Sequence, residues 1–184
     1  MGRTLAERRA GWAAVAAVLL AGCGARPRAP ALQSGPLYQN ERAGFRFLAP
    51  EGWVQRARAD LPAGPFEKEE LLVAYARVTD RPASLEVSLA DLPETADLRK
   101  FLTAAPSGGV KWQAKAAPEA VVVNGVPATR FTLTGGAGKA ATVKEVVAFR
   151  RGGRVYFFAG IFAAGDTATR DEVRRSAQTI VWKG

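Results

Sequence analysis

The stretch VKEVVAFRRGGRVYFFAGIF, residues 143–162, holds two runs of β-branched and aromatic residues on either side of a short glycine-bearing link. Runs of that composition read as strands. The link Arg150-Arg151-Gly152-Gly153-Arg154 is short, so Val143 to Arg150 and Arg154 to Phe162 should form an antiparallel hairpin. The second strand is apolar on both faces, which places it centrally in a sheet covered on both sides.

Outward from this hairpin, Thr169-x-x-Glu172 has the form of a capping box, and Val173, Ala177 and Ile180 follow on one helical face. Asp171 and Glu172 would then open that helix and compensate its dipole. Upstream, strands are expected over Ala128 to Leu133, Ala120 to Val123 and Trp112 to Ala116. Before them, Leu98, Phe101 and Leu102 fall at helical spacing behind Thr95 as N-cap, with Asp97 in the first turn and Pro106 and Gly108-Gly109 as the stop. Leu85, Val87 and Leu89 alternate strictly with Ser84, Glu86 and Ser88, and Leu71 to Val78 is a further strand. Gly44 to Ala49 alternates too, then ends in the turn Pro50-Glu51-Gly52-Trp53, where Trp53 supplies a large apolar body. The class is α+β: an antiparallel sheet with helices packed on it, an α/β/α sandwich.

The N-terminus has a different character. Arg3, Arg8 and Arg9 precede an uncharged apolar run from Trp12 to Leu20, the n- and h-regions of a secretory signal. The run is short of the roughly 20 apolar residues a membrane span needs. It is followed by Leu20-Ala21-Gly22-Cys23, which resembles the bacterial lipobox, where cleavage between Gly22 and Cys23 makes a lipidated cysteine the first mature residue. A free core cysteine is the competing reading, but Cys23, the only cysteine, runs into Pro27, Pro30 and Pro36, a tether composition. The organisation is therefore residues 1–22 as lipoprotein signal peptide, 23–36 as lipidated N-terminus and tether, and 37–184 as one domain. Gly24 stands where some bacteria place an aspartate for inner-membrane retention, which favours the outer membrane in an organism that has one.

The chain carries a net charge of +9, of which about +7 remains beyond the signal. Basic residues are scattered, without a stripe of interleaved aromatics, so nucleic acid is not an expected partner. The tip residues Arg150, Arg151 and Arg154 are candidates for contact with anionic headgroups or an acidic partner, against the plainer reading of a solvated turn.

Several features together suggest a family. They are Phe45-Arg46-Phe47-x-x-Pro50-x-Gly52-Trp53, Asn124-Gly125-Val126-Pro127-Ala128 before a strand, Tyr156 in the late central strand, and the terminal helix with Ser176. With these the chain resembles the PsbP-like proteins, a fold shared by photosystem extrinsic subunits and small bacterial lipoproteins, over Leu37 to Trp182. The resemblance implies a binding or assembly module without a shared catalytic site. It does not carry the photosystem role across, because a lipobox departs from a lumenal subunit and histidine is absent.

Histidine's absence also removes Ser-His-Asp, Cys-His and His-metal arrangements, and the single cysteine is committed to lipid. No serine has a lysine three residues on. Gly135 to Thr142 looks like a phosphate loop but lacks glycine five residues before Gly138 and a hydroxyl after Lys139, so it reads as a strand connection. The cluster Glu67, Glu69 and Glu70 reads as a solvated edge around Lys68. No enzyme activity, metal or cofactor is expected. The expected function is a membrane-anchored, non-catalytic cell-envelope lipoprotein that binds the bilayer through acylated Cys23 and an envelope protein through its domain. The alternative is capture of a small apolar or anionic ligand in a pocket between sheet and helix, which a cavity of about 300 Å³ or more would support.

Overall fold

Residues 143–162 form the expected hairpin, with Arg154 opposite Arg151, Phe158 opposite Val147 and Phe162 opposite Val143. Gly152 and Gly153 both take positive φ, as a tight two-residue connection with the twist of its strands requires. The structure, a computed structural model, describes residues 36–56, 69–104, 110–136, 138 and 141–183. In chain order the elements are β1 (Leu37–Asn40), β2 (Phe45–Leu48), β3 (Val54–Gln55), β4 (Glu69–Arg77), β5 (Ala83–Ala90), α1 (Leu98–Ala104), β6 (Gln113–Ala114), β7 (Glu119–Val123), β8 (Val126–Gly135), β9 (Thr142–Arg151), β10 (Arg154–Ala163), α2 (Thr167–Gln178) and β11 (Val181–Trp182). All belong to one compact unit, Ser34–Gly184.

The main sheet runs β3-β4-β5-β10-β9-β8-β6, with β7 also paired to β8, and every pairing is antiparallel. The doubly apolar strand β10 is central, as its composition demanded. Its Tyr156, Phe158 and Phe162 face a core shared with β2 and α2, where Phe45, Phe47, Val173 and Ala177 are buried. Its Val155, Phe157 and Ala159 face a second core with Leu98 and Leu102 of α1, Phe131 and Trp112. Phe101 of α1 stacks on Phe157 at 5.3 Å. Helices thus lie on both sides of the sheet, and the α+β sandwich stands. Where α2 crosses β10 the fit is closed: a Cβ on Gly160 would sit 2.4 Å from Val173 Cγ1.

A second, three-stranded sheet, β1-β2-β11, stands apart from the main one, so the strand at Phe45–Leu48 pairs outside the expected single sheet. It is tied to the end of α2 by a reciprocal pair: Leu48 N–H donates to Thr179 Oγ1 at 2.8 Å, and Ser176 Oγ donates to Leu48 C=O at 2.7 Å. Asn124, at φ 48° in the β7–β8 turn, donates its amide to the Gln178 and Ile180 carbonyls. The first of those bonds satisfies a backbone acceptor that the end of a helix leaves over, and the second holds the segment just past it. The Asn-Gly and Ser176 features of the sequence therefore have joint work at one helix end.

Both expected helix starts shift. Asp97, not Thr95, caps α1, since its Oδ1 accepts from the Arg99 and Lys100 N–H groups. Asp166 caps α2, accepting from Thr169 N–H at 3.1 Å and Thr169 Oγ1 at 2.7 Å. The capping box does not form: Glu172 instead accepts from Trp53 Nε1 at 3.1 Å, pinning the Pro-x-Gly-Trp turn to the helix. Asp171 and Glu172 lie beyond the first turn, so they do not serve its dipole. Trp112 precedes a strand of only two residues, and Ile180 is buried just past the helix. The stop signals at Pro106 and Gly108-Gly109 lie outside the described residues.

Asp166 also accepts from Arg77 Nη2 at 2.9 Å, and its bonds to Thr169, then to Arg77, hold its carboxyl below the usual range. A depressed folded-state pKa contributes stability above the unfolded value of about 3.9, and that stability is lost as pH falls through the folded value. The melting temperature of the wild type should therefore drop more steeply below about pH 4 than that of Asp166→Asn, which keeps an acceptor but not the titration. Parallel slopes in thermal melts across that range would count against the cap's ionic role.

Candidate functional site

The three hairpin arginines are all exposed, and each is held by a neighbouring group. Arg150 donates to the Pro93 and Ala96 carbonyls at 3.1 and 2.7 Å, bracing the segment before α1. Arg151 donates to Lys183 C=O at 2.7 Å and lies 5.3 Å over the Trp182 ring. Arg154 Nε is 3.0 Å from Asp91 Oδ1. Successive side chains of a strand point to opposite faces, so Arg150 is separated from Arg151, whereas Arg151 and Arg154 are cross-strand partners on one face and are held by different groups. Gly22 and Cys23 lie outside the described residues.

Guanidinium groups converge elsewhere. Glu145, on β9, turns its side chain towards α2 and is only 2% exposed. Arg174 of α2 grips it with two bonds, Nε to Oε1 at 2.5 Å and Nη2 to Oε2 at 3.1 Å. Arg170, one turn earlier on α2, brings Nε to 3.5 Å, and Arg130 of β8 brings Nε to 3.8 Å. Arg170 and Arg174 share a helix face at i, i+4, and Thr132 of β8, two residues from Arg130 and so on the same side of the sheet, pairs with Glu145 in the ladder. Arg170 also lies 5.9 Å over the Phe162 ring, and Arg130 reaches the exposed Glu119 at 3.1 Å. The bond to Glu145, reinforced by the charges of Glu145, Asp171 and Glu119, holds Arg174 more firmly protonated than a free arginine. One buried carboxylate thus organises three partly exposed cations.

On the opposite face of the sheet, Lys144 is buried beside Trp112, with Nζ 5.8 Å over the ring. Glu86 of β5 stands across β10 from it, opposite Ala159. Burial pushes the Lys144 ammonium down, opposed by Glu86 and Glu69; burial pushes the Glu86 carboxyl up, opposed by Lys144 and reinforced by Glu69. Glu69 accepts from Ser88 Oγ in a part-buried bond and so is not a simple solvated edge residue, while Glu70 pairs with the exposed Arg42 at the surface. Glu67 lies outside the described residues.

A cavity of about 270 Å³ lies beside the small sheet, lined by Asn40, Arg42, Gln55, Arg56, Glu70 and the β4 bulge at Leu71–Val73. A second, of about 140 Å³, lies against Phe45, Arg46 and Trp182. Neither is between the main sheet and a helix. Gly135 to Thr142 is the β8–β9 connection, with Gly136 and Gly138 at positive φ. Among the described residues no group of three or more His, Cys, Asp or Glu could hold a metal ion, and no helix is long and apolar enough to cross a membrane.

Sequence reasoning missed Arg130, Glu145, Arg170 and Arg174. The signal it had was a charge pair, Lys144-Glu145, inside an otherwise apolar strand.

No protein-family model matches the chain, and neither does any curated protein. Among solved structures the chain is similar to the solution structure of cyanobacterial PsbP (CyanoP) from Synechocystis sp. PCC 6803, at 15% identity and a TM-score of 0.53, over 84% of this chain and 96% of that one. It is also similar to a protein from Bacteroides thetaiotaomicron, at 11% identity and a TM-score of 0.53, over 83% of this chain and 50% of that one, so it spans half that protein's length. The likeness is one of fold: the domain is PsbP-like, an antiparallel sheet with two helices.

Proposed function

We propose that the protein is a lipid-anchored, non-catalytic binding or assembly module of the bacterial cell envelope. The observation that carries this reading is Leu20-Ala21-Gly22-Cys23 at the end of a short apolar run behind three arginines, followed by a proline-rich tether. A PsbP-like fold at the end of such a tether supports a role in presenting a surface to an envelope protein. Absence of histidine from the whole sequence supports the non-catalytic part. Acylation is physically sufficient for the location: each buried CH₂ contributes about 0.8 kcal/mol, and two or more chains anchor stably where one does not. Gly24 after the cysteine supports the outer membrane in a cell that has one.

In cells fed a labelled fatty acid, Cys23→Ala should abolish labelling and accumulate an uncleaved precursor. Wild-type labelling and processing in that variant would refute the anchor. The module half of the proposal is tested by crosslinking in intact cells: a specific envelope partner is expected, and a cleft-bound small molecule with no protein partner would contradict it. The closed fit of Gly160 on Val173 favours the first outcome over a ligand held between sheet and α2.

A further inference from the structure

The arrangement around Glu145 holds more cationic donors than its one carboxylate can use. Three guanidinium groups bring some fifteen N–H donors, while a carboxylate offers about four acceptor sites. Only Arg174 reaches Glu145 at full hydrogen-bond distance. The Nε atoms of Arg130 and Arg170 are buried, face Glu145 from 3.8 and 3.5 Å, and make no hydrogen bond. Unpaired buried donors are rare in folded proteins and call for an explanation.

The orientation supplies one. Arg130 and Arg170 turn Nε towards Glu145 and Arg174 turns Nε and Nη2, which leaves the remaining amino groups directed away from the buried carboxylate, that of Arg130 reaching the exposed Glu119 through Nη1. The guanidinium-bearing side chains remain 19, 29 and 39% exposed for Arg130, Arg170 and Arg174, while Glu145 beneath them is 2% exposed. Three cations over one buried anion leave a local charge of +2. The other carboxylates nearby, Glu119 bonded to Arg130 and Asp171 beside Arg174, are exposed and offset part of that charge from the solvent side, weakened by screening.

We infer that Arg130, Arg170 and Arg174, oriented on the Glu145 carboxylate, form a binding site for a phosphate-type oxyanion. A tetrahedral dianion matches the +2 excess and accepts from forks arriving on several sides, where a planar carboxylate would repeat what Glu145 already provides. The partly exposed forks lie at the boundary of α2 and β8, so a phosphate can approach from solvent. The site does not depend on acylation of Cys23, and its ligand phosphate can be soluble or part of a lipid headgroup.

The test uses the full chain in detergent micelles, titrated with inorganic phosphate while the arginine Nε–H signals are followed by NMR. Saturable shifts are expected at Arg130, Arg170 and Arg174, and not with chloride at equal ionic strength. Arg170→Lys, which keeps the charge but loses the fork, should weaken binding about tenfold or more, whereas Arg151→Gln at the hairpin should leave it unchanged. Vesicles containing phosphatidic acid, set against phosphatidylcholine alone, then separate the sources: competition identifies a headgroup phosphate, and its absence a soluble one. No saturable shift up to about 10 mM phosphate, or affinity unaltered in both Arg170→Lys and Arg174→Lys, or lost equally in Arg151→Gln, would overturn the site. The wild-type titration decides the matter even where a variant fails to fold.

Discussion

Glu145→Ala should cost about 3 kcal/mol of folding stability, at the lower end of the 3–5 kcal/mol typical for breaking a buried ion pair. The lower end applies because the stranded arginines are partly open to water, so their charge is not wholly desolvated. For a domain of this size such a loss lowers the melting temperature by roughly 10 °C. Glu145 ties α2, through Arg170 and Arg174, to β8 and β9, so its removal loosens the helix as a unit. Replacing Glu145 with leucine together with Arg170→Met and Arg174→Met should recover much of the loss, since apolar replacement of a buried ionic group is often neutral or favourable. Denaturant titration checks both variants. A loss below about 1 kcal/mol in Glu145→Ala would show that the carboxylate does not organise the helix.

Phe158→Ala should cost about 3–5 kcal/mol, the usual range for truncating a buried phenylalanine. Phe158 is 1% exposed and meets Phe45, Phe47 and Phe149 in edge-on contacts at 5.6, 5.5 and 5.7 Å. Since Phe45 and Phe47 belong to β2, the residue is the apolar pin between the central strand and the small sheet. Exchange protection should fall first at β2, whose Leu48 N–H and C=O are held by Thr179 and Ser176. Phe158→Leu keeps most of the volume and should cost less than about 1.5 kcal/mol. Equal losses in the two variants, or unchanged protection of β2 in Phe158→Ala, would contradict the pinning role.

The parts of this fold that show in the sequence are those whose signal is local. The β9–β10 hairpin announces itself through two long β-branched and aromatic runs around Gly152-Gly153, and the burial of β10 on both faces follows from its lack of alternation. Strands β3, β6 and β11 have two residues each, too few to show a period of two. At α2 two capping patterns overlap, Asp166-x-x-Thr169 and Thr169-x-x-Glu172, and only tertiary structure separates them, because Trp53 from a distant turn claims Glu172. The site has the same history. Arg150, Arg151 and Arg154 attract notice by being neighbours in sequence, and the structure gives each of them a different support. Arg130, Glu145, Arg170 and Arg174 are spread over three elements, so nothing short in the sequence brings them together.

The anchor remains the feature on which the proposed role rests, and it is the most directly measurable. The decisive measurement is the mass of the N-terminal peptide of the protein extracted from its native membrane. The account predicts that the mature chain begins at Cys23, bearing a thioether-linked diacylglyceryl group, with or without an added N-acyl chain. A chain that retains residues 1–22, or one cleaved elsewhere with an unmodified Cys23 thiol, would contradict it.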